Sequence, residues 1–241
     1  MSGNSSVQEN HSMTRSLRDF YETEATYKKF WGSHREIILA ENILADLTHD
    51  KMKMTKTLEI GIGDGFLMCK MLSLGYEVIG VDIATGRCRN TKGKGQNAEV
   101  IVASATALPF KNEAFNRIIC SETLEHIPEY TKAIAEAYRV LKTYGRYVVT
   151  VPFRQKLVKV LCPHCLRSFY LDGHINSFDE KCLARSLYVA KFDVQRICGF
   201  GYNFLYISKI CRFKVIRRML ERHIYKILNN PPYMMCIGVK R

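Results

Sequence analysis

Glu59, the alternating glycines Gly61, Gly63 and Gly65, and Asp82 form the most chemically suggestive grouping in the chain, within KTLEIGIGDGFLMCKMLSLGYEVIGVD from Lys56 to Asp82. Glycines let a backbone bend sharply and come within contact distance of a ligand. A helix that starts directly after such a turn offers unpaired N–H groups and a partial positive charge, suited to a phosphate or to the carboxylate of an amino-acid-like ligand. Asp64 is placed to cap that helix. Asp82 can accept hydrogen bonds from both hydroxyls of a ribose, and Glu59 would welcome a cation.

Two details count against a nicotinamide or flavin dinucleotide. The fingerprint G-x-G-x-x-G puts its third small residue at position 66, where Phe66 is too bulky for close helix-to-strand packing. Glu59 would also face a pyrophosphate with like charge. A ribose joined to a cationic amino-acid tail satisfies both carboxylates, and S-adenosylmethionine has those groups.

The elements that must position these residues follow from hydrophobic period. The apolar run 57–60, the glycine turn, the periodic segment 66–74 and the run 77–81 read as strand, loop, helix and strand, a βαβ unit with Asp82 at a strand tip. Ile118 and Ile119 mark a buried strand over 117–121. Ile134, Ala137, Tyr138 and Leu141 line one face of a helix over 130–141, and a strand follows over 147–151. Leu39, Ile43, Leu44 and Leu47 recur helically over 38–47. Ser177-Phe178-Asp179-Glu180 reads as a capping box opening a helix to about 189. Strands over 193–198 and 233–239 complete the pattern.

Glu59-x-Gly61-x-Gly63-x-Gly65, Asp82, ALPFKNEAFNRIICSETLEHI from Ala107 to Ile127 and GRYVVTVPF from Gly145 to Phe153 occur in an order that resembles a class I S-adenosylmethionine-dependent methyltransferase of the methyltransferase type 11 group. The resemblance implies an α/β fold: a Rossmann-like seven-stranded mixed sheet, six parallel strands plus an antiparallel last strand, with helices on both faces. It implies a donor site at Glu59, Gly61, Gly63, Gly65, Asp82, Ile83, Ser104, Ala105 and Ser121, with Tyr21 or Tyr27 of an N-terminal cap reaching the methionine end. Relatives usually carry an acidic residue where Ser104 stands, so its adenine contact is expected to be weaker. The expected organisation is a disordered tail and helical cap over 1–50 and a methyltransferase domain over 51–241. Into that domain are inserted a Cys/His knuckle at about 154–176 and a basic helix at about 203–230.

His126 follows the strand tip and is the candidate general base, because imidazole titrates near neutral pH; packing at the start of the next helix is the alternative. Glu122 and Glu125 carry the same ambiguity. Cys162, Cys165 and His174 have the types and order of zinc ligands, structural or catalytic. The alternative is an ordinary loop with reduced thiols.

A chain of 241 residues that is 47% hydrophobic can bury one substantial core. The nine cysteines are too sparse for a disulfide scaffold, and the expected state is reduced and cytoplasmic. The polar N-terminus does not read as a signal sequence. A net charge of +13 invites an anionic partner without naming one. The basic segment 203–230 could lie on an anionic membrane or dock on its own sheet. The expected activity is methyl transfer to a small-molecule or lipid-like acceptor. An RNA methyltransferase and a non-catalytic, methyltransferase-like binding scaffold are the alternatives. Asn230-Pro231-Pro232-Tyr233 spells a base-amine signature but precedes the last strand, and is expected to lie away from the crevice.

Overall fold

Ile118 to Cys120 and Tyr147 to Val149 are apolar without interruption, so strands built from them need cover on both faces. The structure, a computed structural model, supplies that cover. It describes residues 18–23, 33–47, 55–94, 98–201, 220 and 230–241. Tyr27, the tail before residue 18 and nearly all of the basic segment 203–230 lie outside the described residues.

Residues 18–23 are helical. The elements that follow are α1 (His34–Leu47), β1 (Thr57–Ile60), α2 (Phe66–Ser73), β2 (Val78–Asp82), α3 (Thr85–Lys92), β3 (Glu99–Val102) and β4 (Phe115–Ser121). After a 3₁₀ turn at Leu124–His126 come α4 (Tyr130–Val140), β5 (Leu141–Pro152), a short hairpin of β6 (Lys159–Leu161) and β7 (Ser168–Tyr170), and a second 3₁₀ turn at Leu171–Gly173. The chain then forms α5 (Glu180–Val189), β8 (Phe192–Phe200) and β9 (Tyr233–Lys240).

Seven strands make one sheet in the order β3-β2-β1-β4-β5-β9-β8. β1 pairs in parallel with β2 on one side and β4 on the other. β9 runs antiparallel to both β5 and β8. The expected mixed sheet is therefore present. The strand order reverses between β1 and β4, where an open α/β sheet leaves a crevice beyond its carboxyl ends.

Successive residues feed opposite cores, as the period of a strand requires. Ile118 and Val149 pack with Ile134, Ala137, Leu183 and Leu187 of α4 and α5. Ile119 and Val148 pack with Ile38, Ile43, Leu47, Met68 and Met71 of α1 and α2. Asp46 of α1 also accepts hydrogen bonds from Arg146 of β5 at 2.8 Å and Arg196 of β8 at 2.7 Å, which pins the covering helix to the sheet.

Two caps differ from expectation. α2 is capped by Gly65 in a left-handed conformation with no side-chain bond, so Asp64 does not serve there. At α5 the cap is Asp179, whose carboxylate accepts from Cys182 N at 2.7 Å, and Ser177 lies outside the helix start. Among the described residues no cysteine is in a disulfide. Burial pushes the Cys120 thiol up to about 12. Among these residues, too, no helix is long and apolar enough to cross a membrane.

Candidate active site

Gly61, Gly63 and Gly65 all have positive φ, but they serve different ends. A Cβ on Gly61 would stand 2.2 Å from Thr123 Oγ1, and one on Gly65 would stand 2.4 Å from Thr91 Cγ2. Gly61 lets the turn pass against the tip of β4, and Gly65 seats α2 against α3. Gly65 is not among the residues that line the cavity described below. The nearest atom to a Cβ on Gly63 would be Arg87 Nη1 at 3.3 Å. Asp82 fixes this turn from the neighbouring strand: its Oδ2 accepts from Gly63 N at 3.1 Å and its Oδ1 from Ala84 N at 2.9 Å.

A cavity of about 310 Å³ opens over the turn at the switch point between β1 and β4. Glu59, Gly61, Gly63, Asp82, Ile83, Ser104, Ala105 and Ser121 line it. Glu59 is 3% exposed, and its Oε2 has no hydrogen-bond partner. Burial, reinforced by the charge of Asp82, pushes its carboxyl up to about 8. Burial also raises the carboxyl of Asp82, with Arg87 opposing. Ser104 Oγ shares a 2.9 Å hydrogen bond with Thr106 Oγ1 and accepts from Thr106 N, so part of its capacity is used locally.

The cavity has a cover built from parts distant in sequence. Glu22 accepts from Thr85 N and, at 2.8 Å, from Gly86 N, placing a carboxylate at the start of α3. That anchorage brings Tyr21 into the lining, beneath the Arg87 guanidinium at 5.1 Å and edge-on to the His126 ring at 5.5 Å. Arg35 of α1 bonds Glu122 Oε2 at 2.8 Å. Sequence reading did not single out Arg35 or Arg87, since an isolated arginine on a charged segment carries no local signature.

The tip of β4 holds a cluster of titratable groups. Glu122 has a φ of 49°, a conformation that strains a residue other than glycine. Glu125 is 1% exposed and neither of its carboxylate oxygens has a hydrogen-bond partner. Burial, then repulsion from Glu122, holds its carboxyl well above the usual range. His126 Nδ1 is 3.1 Å from Gly173 O, a carbonyl that can only accept, so Nδ1 carries the proton and Nε2 the lone pair. Burial, then the neighbouring His174, brings the His126 imidazole down to about 3. The expectation of a base titrating near neutrality is thereby corrected: His126 is a neutral, weakly basic ring.

His174 also departs from expectation. Cys162 and Cys165 occupy the turn between β6 and β7, where Leu166 N donates to Cys162 O at 2.9 Å. Gly173 then turns the chain with positive φ, and Ile175 N and Asn176 N donate to Glu125 O at 2.9 and 3.0 Å. Asn176 Nδ2 adds bonds to Leu124 O and Ile127 O. These bonds dock His174 on the 3₁₀ turn, with its ring 4.5 Å from that of His126. Among the described residues the side chains that gather as a metal-type cluster are Glu125, His126 and His174. The set Cys162, Cys165 and His174 is not brought together, so the expected zinc knuckle is not formed.

Tyr233 provides a further correction. Because β9 is antiparallel, its first residues lie at the carboxyl edge of the parallel strands, paired with Pro152. The Arg35 guanidinium stands 5.7 Å from the Tyr233 ring centroid, so Asn230-Pro231-Pro232-Tyr233 ends near the crevice rather than away from it.

A doubly wound sheet with a glycine turn after β1, an acid ending β2 and a cavity at the switch point is the architecture of Rossmann-like nucleotide-binding folds. Residues 58–149 match the family model described as a methyltransferase domain. An uncharacterized Methanocaldococcus jannaschii protein is 33% identical over 152 residues, 62% of this chain and 70% of its own length. The demethylmenaquinone methyltransferase of Thermus thermophilus is 36% identical over 109 residues, 43% of this chain and 50% of its own. The chain thus spans about half the length of that relative. In fold, it matches a chain from the complex of the Haloferax volcanii Trm112 methyltransferase activator with a putative methyltransferase. There the TM-score is 0.66 at 13% identity, covering 92% of this chain and 96% of that one. The chain belongs to the class I S-adenosylmethionine-dependent methyltransferases, in the methyltransferase type 11 group.

Proposed function

We propose that the cavity binds S-adenosylmethionine and that the protein transfers the sulfonium methyl group to a small-molecule acceptor. The observation that carries this reading is the Glu59 carboxyl, buried beside Asp82 with an unpartnered oxygen over the glycine turn. A cationic ligand would draw off the Glu59 proton and pair with the carboxylate, while Asp82 would meet a pyrophosphate with like charge, so the pair favours a ligand that brings hydroxyls and a positive charge. In this reading Asp82 holds the ribose, Glu59 faces the cationic portion, and Ser104 and Ala105 lie toward the adenine.

The sulfonium carbon is already activated, so the protein chiefly aligns donor and acceptor and excludes water. The acceptor oxygen, nitrogen or carbon takes the methyl carbon while the carbon–sulfur bond breaks and its electron pair stays on sulfur. Among the relatives, those named for demethylmenaquinone and for ubiquinone/menaquinone C-methylation support a small, ring-bearing acceptor. Calorimetry with S-adenosylmethionine, followed by transfer of labelled methyl to fractionated cell extract, tests the proposal. One donor per chain and a labelled small molecule are expected. No donor binding, or label confined to RNA, would overturn it.

A further inference from the structure

We propose that Glu125, His126 and His174 form a binding site for a divalent transition-metal cation at the acceptor end of the cavity. One ligand atom from each of the three lies within 4.8 Å of the others, and His126 Nε2 is 3.8 Å from Glu125 Oε1. His126 and His174 both line the cavity. One carboxylate and two imidazoles suit the ions from manganese to zinc and leave coordination positions open.

Two further observations point to a cation. First, each imidazole is oriented through its other nitrogen, His126 Nδ1 by Gly173 O and His174 Nδ1 by Gln155 Oε1. That leaves Nε2 of each ring as the lone-pair atom, the arrangement in which a second contact fixes the tautomer of a metal-binding histidine. Second, Glu125 is a buried carboxyl with neither oxygen satisfied, a costly state that a bound cation would relieve.

What the cation does rests on the methyl-transfer reading, but its binding does not. Coordinated at this site, an acceptor hydroxyl becomes more acidic and releases its proton to solvent. The resulting oxygen takes the methyl carbon, and the carbon–sulfur electron pair stays on the neutral thioether. His126 and His174 hold the ion here, and the acceptor is activated by the cation rather than by a side-chain base.

The test uses the full chain, stripped with a chelator and titrated with Mn²⁺ or Zn²⁺ alone by calorimetry, and with Co²⁺ by visible absorption. One ion per chain is expected, with affinity reduced at least about tenfold by Glu125→Gln and by His174→Asn. A Cys162→Ser/Cys165→Ser double variant is expected to keep that affinity, and the Co²⁺ spectrum to lack a thiolate charge-transfer band. The spectrum of the unsubstituted chain decides the matter even if a variant fails to fold. No stoichiometric uptake, a thiolate band, or unchanged affinity in folded Glu125→Gln and His174→Asn would overturn the site. Metal uptake without S-adenosylmethionine binding would preserve the site while removing the methyl-transfer reading.

Discussion

Arg35 Nη2 stands 2.8 Å from Glu122 Oε2, joining the helix that covers the cavity to the tip of the fourth strand, 87 positions further along the chain. Burial raises the Glu122 carboxyl, while the guanidinium pulls it down. The pair is mixed in character: the Arg35 side chain is 48% exposed and that of Glu122 only 9%.

Arg35→Ala should therefore cost more than a surface ion pair and less than a fully buried one, about 1–2 kcal/mol. Urea unfolding measures the loss. Faster amide hydrogen exchange in α1 should accompany it, and unchanged exchange there would mean that the ion pair does not hold the cover down.

Glu59 makes stability depend on pH in a defined direction. Its folded carboxyl titrates at about 8, above its ordinary value of 4.5, so the folded chain binds more protons than the unfolded chain between those limits. This contribution to stability is fully present below pH 4.5 and lost as pH rises through about 8. Chemical unfolding of the unliganded protein across that range should show the decline, and Glu59→Gln should flatten it. Since a cationic ligand favours the ionised carboxylate, donor affinity should rise with pH over the same window.

Asp82→Ala removes the acceptor for both Gly63 N and Ala84 N, which lie 3.1 and 2.9 Å from its two oxygens. Hydrogen bonds to a charged group contribute about 1.5–3 kcal/mol each, so donor affinity should fall at least about tenfold by calorimetry. Equal affinity in the variant would place the ribose elsewhere.

Gly61→Ala and Gly75→Ala separate backbone strain from crowding. Both glycines have positive φ, 75° and 83°, but an added Cβ would meet Thr123 Oγ1 at 2.2 Å in the first case and nothing within 4 Å in the second. Gly75→Ala should cost roughly 1–2 kcal/mol through backbone strain alone. Gly61→Ala should cost clearly more in thermal unfolding and should disturb the β4 tip, because Thr123 Oγ1 is already held by Ser121 O at 2.9 Å.

Local grammar made most of the fold legible. Continuous apolar strands, the glycine turn and the periodicity of α2 and α4 depend on residues within a few positions of one another, and each formed where its pattern placed it. The caps were less readable, because Asp64 and Ser177 have the right chemistry one and two positions before Gly65 and Asp179, which the backbone uses. His174 misled for a different reason. It follows a C-x-x-C turn closely in sequence, yet Gly173 and the amides of Ile175 and Asn176 carry it away from the thiols to Glu125.

The sequence by itself determined the sheet-forming runs, the turn beside Glu59 and the acid ending β2, since strand period, glycine freedom and helix start are properties of neighbouring residues. Only the tertiary structure decided that Arg35 meets Glu122, that Tyr233 comes round to the carboxyl edge, and that His126 faces His174 rather than His174 facing the cysteines. Those meetings depend on strand order, on the antiparallel sense of β9 and on backbone hydrogen bonds between distant loops, and no local pattern encodes them.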